Sequence, residues 1–244
     1  MVVSQESPGR REMSVRARAT LLLIGFGVAV AVIAAWCASF LRTSPPTVSA
    51  RTVSTASGKQ AYVDLQTVGS IGYGARPTWV SYLVRDTAGR WVHTTKFTVP
   101  AHALIHVTID QYDSAGALRN ARWAHVAGTV GGVETITGYV GNKSVTNANY
   151  STVGTSDPGH TFAIPALGVN VPLTGLPAKI SNLCPVAPCT AKWPRDVITF
   201  SFRTDRAGIY RWQCFVPCAL NFLDGNSGPM QTLGFMMGFM DVVQ

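Results

Sequence analysis

The sequence has little charge and few of the patterns by which enzymes bind nucleotides or activate a nucleophile. Charged residues make up only 13% of its 244 residues. No glycine-rich loop follows a strand and opens a helix, as a phosphate-binding loop would. Ser201 does not lie in a nucleophile elbow, and the aspartates have no spacing that defines a catalytic pair. Hydrolase and nucleotide-binding functions are therefore disfavoured.

Basic residues exceed acidic ones, but they form no dense stripe. The formal net charge is +8, and after residue 42 fifteen basic and ten acidic residues leave +5. A nucleic-acid-binding protein would concentrate its basic residues in one patch or run, so we expect no nucleic-acid partner. The moderate excess is compatible with a negatively charged redox partner or a membrane surface.

One long apolar run lies near the N-terminus. Residues 19–41 contain no charge over 23 positions, and a helix of that length spans roughly 34 Å, enough to cross a bilayer. Four arginines precede the run and only Arg42 and Arg51 follow it closely, so the positive-inside rule places the N-terminus in the cytoplasm. A cleaved signal peptide with a small-residue site at Val48-Ser49-Ala50 is the alternative, although the run is longer than such signals usually are.

We therefore expect a single-pass protein of the cell membrane with its C-terminal domain outside the cytoplasm. Its predicted segments are a basic cytoplasmic N-terminus (1–18), a transmembrane signal-anchor (19–41), a Ser/Thr/Pro-rich linker (42–58) and an extracytoplasmic domain (59–244).

The predicted domain carries the alternation of short β-strands. Apolar and polar residues alternate over 105–109 and 198–202, which indicates half-buried strands. Asp86-Thr-Ala-Gly89 predicts a hairpin turn between strands at 79–84 and 91–98. No amphipathic helix of convincing length follows residue 42, so we expect an all-β, antiparallel Greek-key sandwich or barrel. Further strands are predicted at 97–99, 138–140 and 161–164.

Four of the five cysteines lie after the apolar run, in two pairs. Cys184 and Cys189 enclose the segment Pro-Val-Ala-Pro, and in an oxidising compartment this spacing predicts a disulfide that closes a stiff loop. Cys214 and Cys218 are separated by three residues. On spacing alone, the second pair could form another disulfide or provide two thiolates to a metal ion.

The second cysteine pair follows a strand with large aromatic residues. Side chains alternate along a strand, so Tyr210, Trp212 and Cys214 share one face, and we expect Cys214 to start buried. The same period brings Met236 to the near end of the last strand. With His160 in Gly159-His-Thr-Phe, two thiolates, an imidazole and a thioether converge, and these donors select copper over hard cations.

These residues resemble the copper site of cupredoxins, most closely the copper domain of cytochrome c oxidase subunit II. In that domain a strand ends in Cys-x3-Cys-x3-His-x2-Met, and an earlier strand opens with a histidine that closes the site. Cys214 and Cys218 match the cysteine pair, His160 matches the early histidine, and Phe235-Met236 matches the Phe-Met pair. The resemblance implies a Greek-key cupredoxin sandwich with copper held by His160, Cys214, Cys218 and Met236.

Two further segments, 97–101 and 128–132, also look like parts of exported cupredoxin-related proteins. Met230 is a reserve thioether ligand. The chain departs from the pattern at the second histidine, because seventeen residues separate Cys218 from Met236, against six in the family, and none is a histidine. Phe222 and Leu233 stand at the two alternative positions. We therefore expect one copper ion rather than two, and we expect the other histidines to be surface or structural residues: His93, His102, His106 and His125.

The leading hypothesis for function is a membrane-anchored one-electron carrier, not an enzyme on its own. Its partner would be a redox protein or a haem-copper oxidase complex, in which it would be a subunit II-like component. The aromatic residues expected to surround the site and tune its potential are Tyr210, Trp212, Phe215 and Phe222. The alternatives are capture and delivery of Cu(I), and a metal-free interaction or assembly domain in which Cys214 and Cys218 form a disulfide.

Overall fold

The computed structural model describes residues 14–42, 44–69, 79–181, 183–218 and 228–244. It divides into an N-terminal unit, Met1–Ser44, and a larger unit, Pro45–Gln244. The first unit contains the single α-helix of the described residues, α1 (Val15–Arg42). By length and composition, its segment Val15–Ala38 is able to cross a membrane, and a signal sequence would meet the same criteria. The predicted apolar helix is therefore present, while its insertion and orientation stay predictions.

The larger unit consists of two β-sheets. The first has six strands, in the order β1 (Thr47–Ser49), β6 (Lys96–Pro100), β14 (Met237–Val243), β13 (Gly208–Gln213), β10 (Pro158–Ile164) and β11 (Val169–Thr174). The second has eight strands. Seven follow the order β5 (Trp91–Val92), β4 (Ser81–Arg85), β3 (Gly58–Val68), β7 (Leu104–Gln111), β12 (Asp196–Arg203), β8 (Glu134–Val140) and β9 (Lys143–Tyr150), and β2 (Arg51–Thr55) pairs with β3.

One hydrophobic core lies between the two sheets. It unites Phe97, Phe162 and Trp212 of the first sheet with Leu65 and Ile105 of the second, and all are almost completely buried. The alternation predicted for β7 and β12 is observed, because every second residue of each strand is buried. The predicted all-β Greek-key sandwich with one N-terminal helix is thus confirmed. The expectation of purely antiparallel sheets is wrong, because β1 pairs with β6, β6 with β14, and β3 with β7 in parallel.

Two local predictions are wrong. The predicted linker 42–58 contains β1, which pairs in parallel with β6, and β2, which pairs with β3. All five residues of β2 are exposed, so no apolar period marked it as a strand. The hairpin turn at residues 86–89 is present, but the strand predicted over 91–98 is divided, since β5 belongs to the second sheet and β6 to the first.

Candidate metal centre

Three of the predicted ligands lie together at one end of the sandwich. The Nδ1 atom of His160 is 3.1 Å from the Cys218 sulfur and 3.8 Å from the Cys214 sulfur. The two sulfurs are 3.4 Å apart, and both thiols are free. Within the described part of the chain, His160, Cys214 and Cys218 form the one group of three or more His, Cys, Asp or Glu side chains that could hold a metal ion.

The pairing of β10 with β13 creates this cluster. His160 lies on β10, and Cys214 follows the last residue of β13, with Ala163 and Gln213 as register partners. Because the strands are antiparallel, the chain after Gln213 turns beside the first residues of β10. The short segment from Cys214 then folds back, with the Cys218 N–H donating to the Val216 carbonyl at 2.8 Å, and brings the second thiol to the imidazole.

Gly159 allows a second loop to approach the cluster closely. The register of β10 shifts between Pro158 and His160, and a Cβ atom at Gly159 would lie 2.5 Å from the carbonyl oxygen of Ser114. A side chain at Gly159 would thus push away the loop that follows β7. That loop carries Asp113.

Asp113 fixes the orientation of the His160 ring. The Nε2 atom of His160 lies 3.2 Å from Oδ2 of Asp113, and the imidazole side chain is only 1% exposed. With Nε2–H donating to the carboxylate, Nδ1 faces the two sulfurs and is available to a metal ion. Metal-binding histidines usually donate their other N–H to a carboxylate or carbonyl group, so this contact supports His160 as a ligand.

Backbone N–H groups surround the Cys214 sulfur. Thr161 N–H and Val216 N–H donate to it at 3.3 and 3.4 Å. The Thr161 hydroxyl also accepts the N–H of Phe215 at 2.8 Å, and the Cys214 N–H donates to the Met236 carbonyl at 2.9 Å. The first cysteine is therefore held from both neighbouring strands, and N–H donors stabilise negative charge on its sulfur.

The charges within the cluster favour one thiolate beside an imidazolium when no metal is bound. Burial alone would raise the pKa of the Cys214 thiol, but hydrogen bonds with Cys218 and His160 outweigh it and lower that pKa well below its usual value. Burial and the neighbouring Cys214 raise the pKa of Cys218. Burial lowers the pKa of His160, but its hydrogen bonds to Asp113 and Cys214 prevail and raise it to about 9.

The donor set and its spacing fit a soft metal ion. Ligands bound at about 2.0–2.3 Å to one ion, at tetrahedral to trigonal angles, lie roughly 3.3–4 Å apart, and the three donors are 3.1–3.8 Å apart. Two thiolates with one imidazole suit copper and zinc and are poor ligands for magnesium or calcium. These residues therefore fit a copper ion, and the number of ions is not fixed by the donors.

Backbone hydrogen bonds link the segments of the two predicted thioether ligands to Cys214. Met236 precedes β14, is completely buried and accepts the backbone hydrogen bond of Cys214. Met230 is buried in a short 3₁₀ turn, Gly228–Gln231, whose Pro229 carbonyl accepts the N–H of Met236. The role of Met236 as a ligand, and of Met230 as its reserve, stays a prediction.

The structure brings none of the other four histidines into the cluster. Among the described residues, His93 stacks edge-on against Phe235, His106 contacts Ser201, and His125 contacts Thr152. His102 is exposed and lies 3.9 Å from Asp205. Phe222 lies outside the described residues.

The aromatic surroundings differ in part from the prediction. Trp212 is fully buried two residues before Cys214, as predicted. Tyr210 is not beside the site, because four residues of strand place it about 13 Å from Cys214, where its hydroxyl donates to the Arg206 carbonyl. Tyr82, which sequence reasoning missed, is fully buried 6.1 Å from the His160 ring and 5.0 Å from the Trp212 ring.

The other cysteine pair forms the predicted disulfide, Cys184–Cys189. Gln66 of β3 holds the closed loop, since its amide donates to the Cys189 carbonyl at 3.0 Å and accepts the Cys189 N–H at 2.7 Å. The two buried cysteines pack in a small separate cluster with Val68, Leu83 and Tyr112. The disulfide is therefore a structural element, distinct from the free thiols.

Comparisons with known proteins give a distant structural likeness. No family model matches the chain, and no curated protein matches it. A solved structure of the copper protein rusticyanin has 15% identity and a TM-score of 0.32, covering 80% of this chain and 82% of its own. Rusticyanin from Thiobacillus ferrooxidans has 14% identity and a TM-score of 0.32, covering 80% and 81%. Reduced rusticyanin has 15% identity and a TM-score of 0.30, covering 80% and 83%.

Rusticyanin is a cupredoxin. The groups of this chain that could hold a metal ion are its own side chains His160, Cys214 and Cys218.

Proposed function

We propose that this protein is a copper-binding electron carrier with one copper ion per chain. The observation that supports this most is the cluster in which His160 Nδ1 and the sulfurs of Cys214 and Cys218 lie 3.1–3.8 Å from one another. When bound, copper supplies the one-electron Cu(II)/Cu(I) couple. The protein residues provide two sulfur donors and one nitrogen donor, with the Met236 sulfur as a weak fourth ligand.

The surrounding residues suit electron transfer because they hold the donors in one arrangement. Thr161 and Val216 fix the Cys214 sulfur by N–H bonds, and Asp113 fixes the His160 ring. A rigid donor set limits the geometric change between the two oxidation states. The N–H bonds and the nonpolar surroundings also set the reduction potential, because they stabilise or destabilise charge on the thiolates.

We further propose that α1 anchors the protein in the cell membrane with the β unit outside the cytoplasm. The apolar length of α1 and the disulfide support this location. The partner would be a redox protein or a haem-copper oxidase complex. A subunit II-like role in such a complex would use one copper ion, since His160 is the histidine of the cluster.

Copper loading of the purified full-length chain tests the proposal. We expect about one copper per chain by elemental analysis, an intense visible thiolate-to-copper absorption band and reversible voltammetry. A His160→Ala variant should lose the band, whereas His102→Ala, which changes an exposed histidine of the same unit, should keep it.

Three other outcomes would replace or change the proposal. Tight binding of Cu(I) without colour and without a reversible couple would indicate capture and delivery of Cu(I). A different result is failure to bind copper, with no free thiol detected at Cys214 or Cys218 by a thiol reagent. It would indicate a metal-free domain with a disulfide at this position. Two coppers per chain with a shared unpaired electron would mean that a second histidine is a ligand.

A further inference from the structure

Two aromatic rings connect the metal centre to the protein surface. The ring of Phe215, the residue after Cys214, stacks face to face on the ring of Trp123, with centroids 3.8 Å apart and planes 3° from parallel. Both residues are partly exposed. The Phe215 backbone is held by the Thr161 hydroxyl at 2.8 Å. A molecule in contact with the Trp123 ring would therefore be separated from the Cys214 thiol by the Phe215 ring and one peptide unit.

The segment that carries Trp123 is held firmly in place. The side-chain amide of Asn170 on β11 donates to the carbonyl groups of Trp123 and His125, at 3.1 and 2.6 Å. The Asn120 side chain caps the 3₁₀ turn Ala121–Ala124 by accepting the N–H of Arg122. Hydrogen bonds thus hold the backbone on both sides of Trp123. Its side chain is suited to a contact surface, because little conformational entropy is lost when a partner binds.

A groove of about 250 Å³ runs beside this indole and has a positive rim. Its lining includes Arg122, Trp123, His125, Pro165 and Asn170, and Arg122 is exposed and forms no salt bridge within the described residues. Among the described residues, the lining of this groove includes no Asp or Glu. Arg122 therefore gives the groove a positive charge that no carboxylate of its lining opposes, and we expect it to attract negative charge.

We propose that the surface of Arg122, Trp123, His125 and Phe215 is the docking site of an acidic redox protein. The inference rests on the proposed function. A flat aromatic patch beside basic residues matches the aromatic and arginine enrichment of protein interfaces, and complementary charge accelerates the encounter. With copper bound, the site would accept one electron from a one-electron donor group of the partner, which would be oxidised as Cu(II) is reduced to Cu(I). No proton or atom would be transferred.

A pair of probes that differ only in charge tests this. A basic c-type cytochrome and its succinylated form carry the same haem with opposite surface charge. We would mix each, reduced, with the copper-loaded full-length chain in a non-ionic detergent and follow haem oxidation by stopped flow. The acidic form should react at least about tenfold faster than the basic form at low ionic strength, and its advantage should vanish with added salt.

Charge reversal at the surface locates the contact. Arg122→Glu should slow the reaction of the succinylated cytochrome at least about fivefold, and Trp123→Ala should slow it without changing the salt dependence. The matched control is Lys59→Glu, which makes the same charge change on an exposed residue. Lys59 precedes Gln60, which pairs with Leu104 at the opposite end of β7 from Asp113. This control should leave the rate within about twofold.

Equal effects of Arg122→Glu and Lys59→Glu would overturn the proposal, because only net charge would then matter. A faster reaction with the basic cytochrome would also overturn it. Binding of the succinylated, oxidised cytochrome to the copper-free chain, measured by calorimetry at low salt, separates the two proposals. Copper-free binding that is lost in Arg122→Glu supports the docking surface even if the chain carries no electrons. A working copper couple without such binding refutes the docking surface alone.

Discussion

Replacing Asp113 tests whether the buried carboxylate prepares His160 for metal binding. The imidazole is 1% exposed and the carboxylate 13% exposed, with Nε2 and Oδ2 3.2 Å apart. A hydrogen bond to a charged group contributes about 1.5–3 kcal/mol, and a tenfold change in affinity corresponds to about 1.4 kcal/mol. Asp113→Ala should therefore weaken copper binding roughly 10- to 100-fold, in line with other carboxylates that orient metal-binding histidines.

The Asn variant separates the hydrogen bond from the charge. Asp113→Asn retains an oxygen that can accept the Nε2 proton, so its loss of affinity should be smaller, about tenfold or less. Copper affinity would be measured by competition with a chromophoric Cu(I) chelator. The absorption spectrum of the oxidised protein would show whether the ligand field changes as well.

The matched control is Asp205→Ala, which removes another carboxylate that faces a histidine. Asp205 lies 3.9 Å from His102, and both side chains are mostly exposed, so screening by water leaves little interaction to lose. Its copper affinity should match that of the unmodified protein. An unchanged affinity in Asp113→Ala, with the copper-free protein still folded by circular dichroism, would refute the argument that Asp113 orients His160.

Four further changes test other parts of the structure. Cys214→Ser should abolish copper binding by elemental analysis but leave the circular dichroism spectrum unchanged, since the two sheets are joined by a large hydrophobic core of which Cys214 is a small part. Met236→Leu should shift the reduction potential, measured by voltammetry, more than it lowers copper content, because a weak thioether ligand tunes a site that thiolates and imidazole hold. Cys184→Ser should lower the free energy of unfolding by about 2 kcal/mol through loss of the loop closure, with copper binding retained. Glu134→Leu should raise that free energy by about 1–3 kcal/mol, since burial raises the pKa of Glu134 well above its ordinary 4.5 and neither oxygen has a described partner. Above pH 4.5 the folded protein therefore holds a proton that the unfolded chain releases, so its stability should fall as the pH rises in denaturant titrations. The variant should show a smaller fall, and Asp196, whose pKa burial raises to about 7, should account for part of what remains.

The sequence predicted those strands that have one buried face and one face exposed to solvent. β7 and β12 have that pattern, and their alternation was sufficient. β11 is buried along its whole length, so it has no alternation to detect. β2 is exposed along its whole length and is a strand because β3 offers it hydrogen-bonding partners, a property that the composition of residues 51–55 does not encode. Both strands pair with a neighbour in the sequence, β2 with β3 and β11 with β10, so the signal that was missing in both cases is alternation.

In the candidate site, the residues that the sequence did not predict depend on contacts between distant parts of the chain. Cys214, Cys218 and His160 were predicted because thiol and imidazole groups are few and chemically distinctive. Asp113 was not, since its contact with His160 spans 47 positions and depends on the register shift at Gly159. Tyr82 was missed for a related reason, because its hydroxyl reaches the Thr161 carbonyl from the opposite sheet.

The two thiols of the cluster have unequal roles. Cys214 is completely buried, and its sulfur and backbone are tied to both neighbouring strands. Cys218 is partly exposed, and among the described residues its backbone N–H donates to Val216 within its own turn. The Cys214 sulfur accepts the backbone N–H groups of Thr161 and Val216, whereas the Cys218 sulfur faces the carbonyl oxygen of Gly159 at 3.7 Å. Negative charge on sulfur is therefore better stabilised at Cys214 than at Cys218. Cys214 is also the thiol that leads, through Phe215, to the indole of Trp123 at the surface.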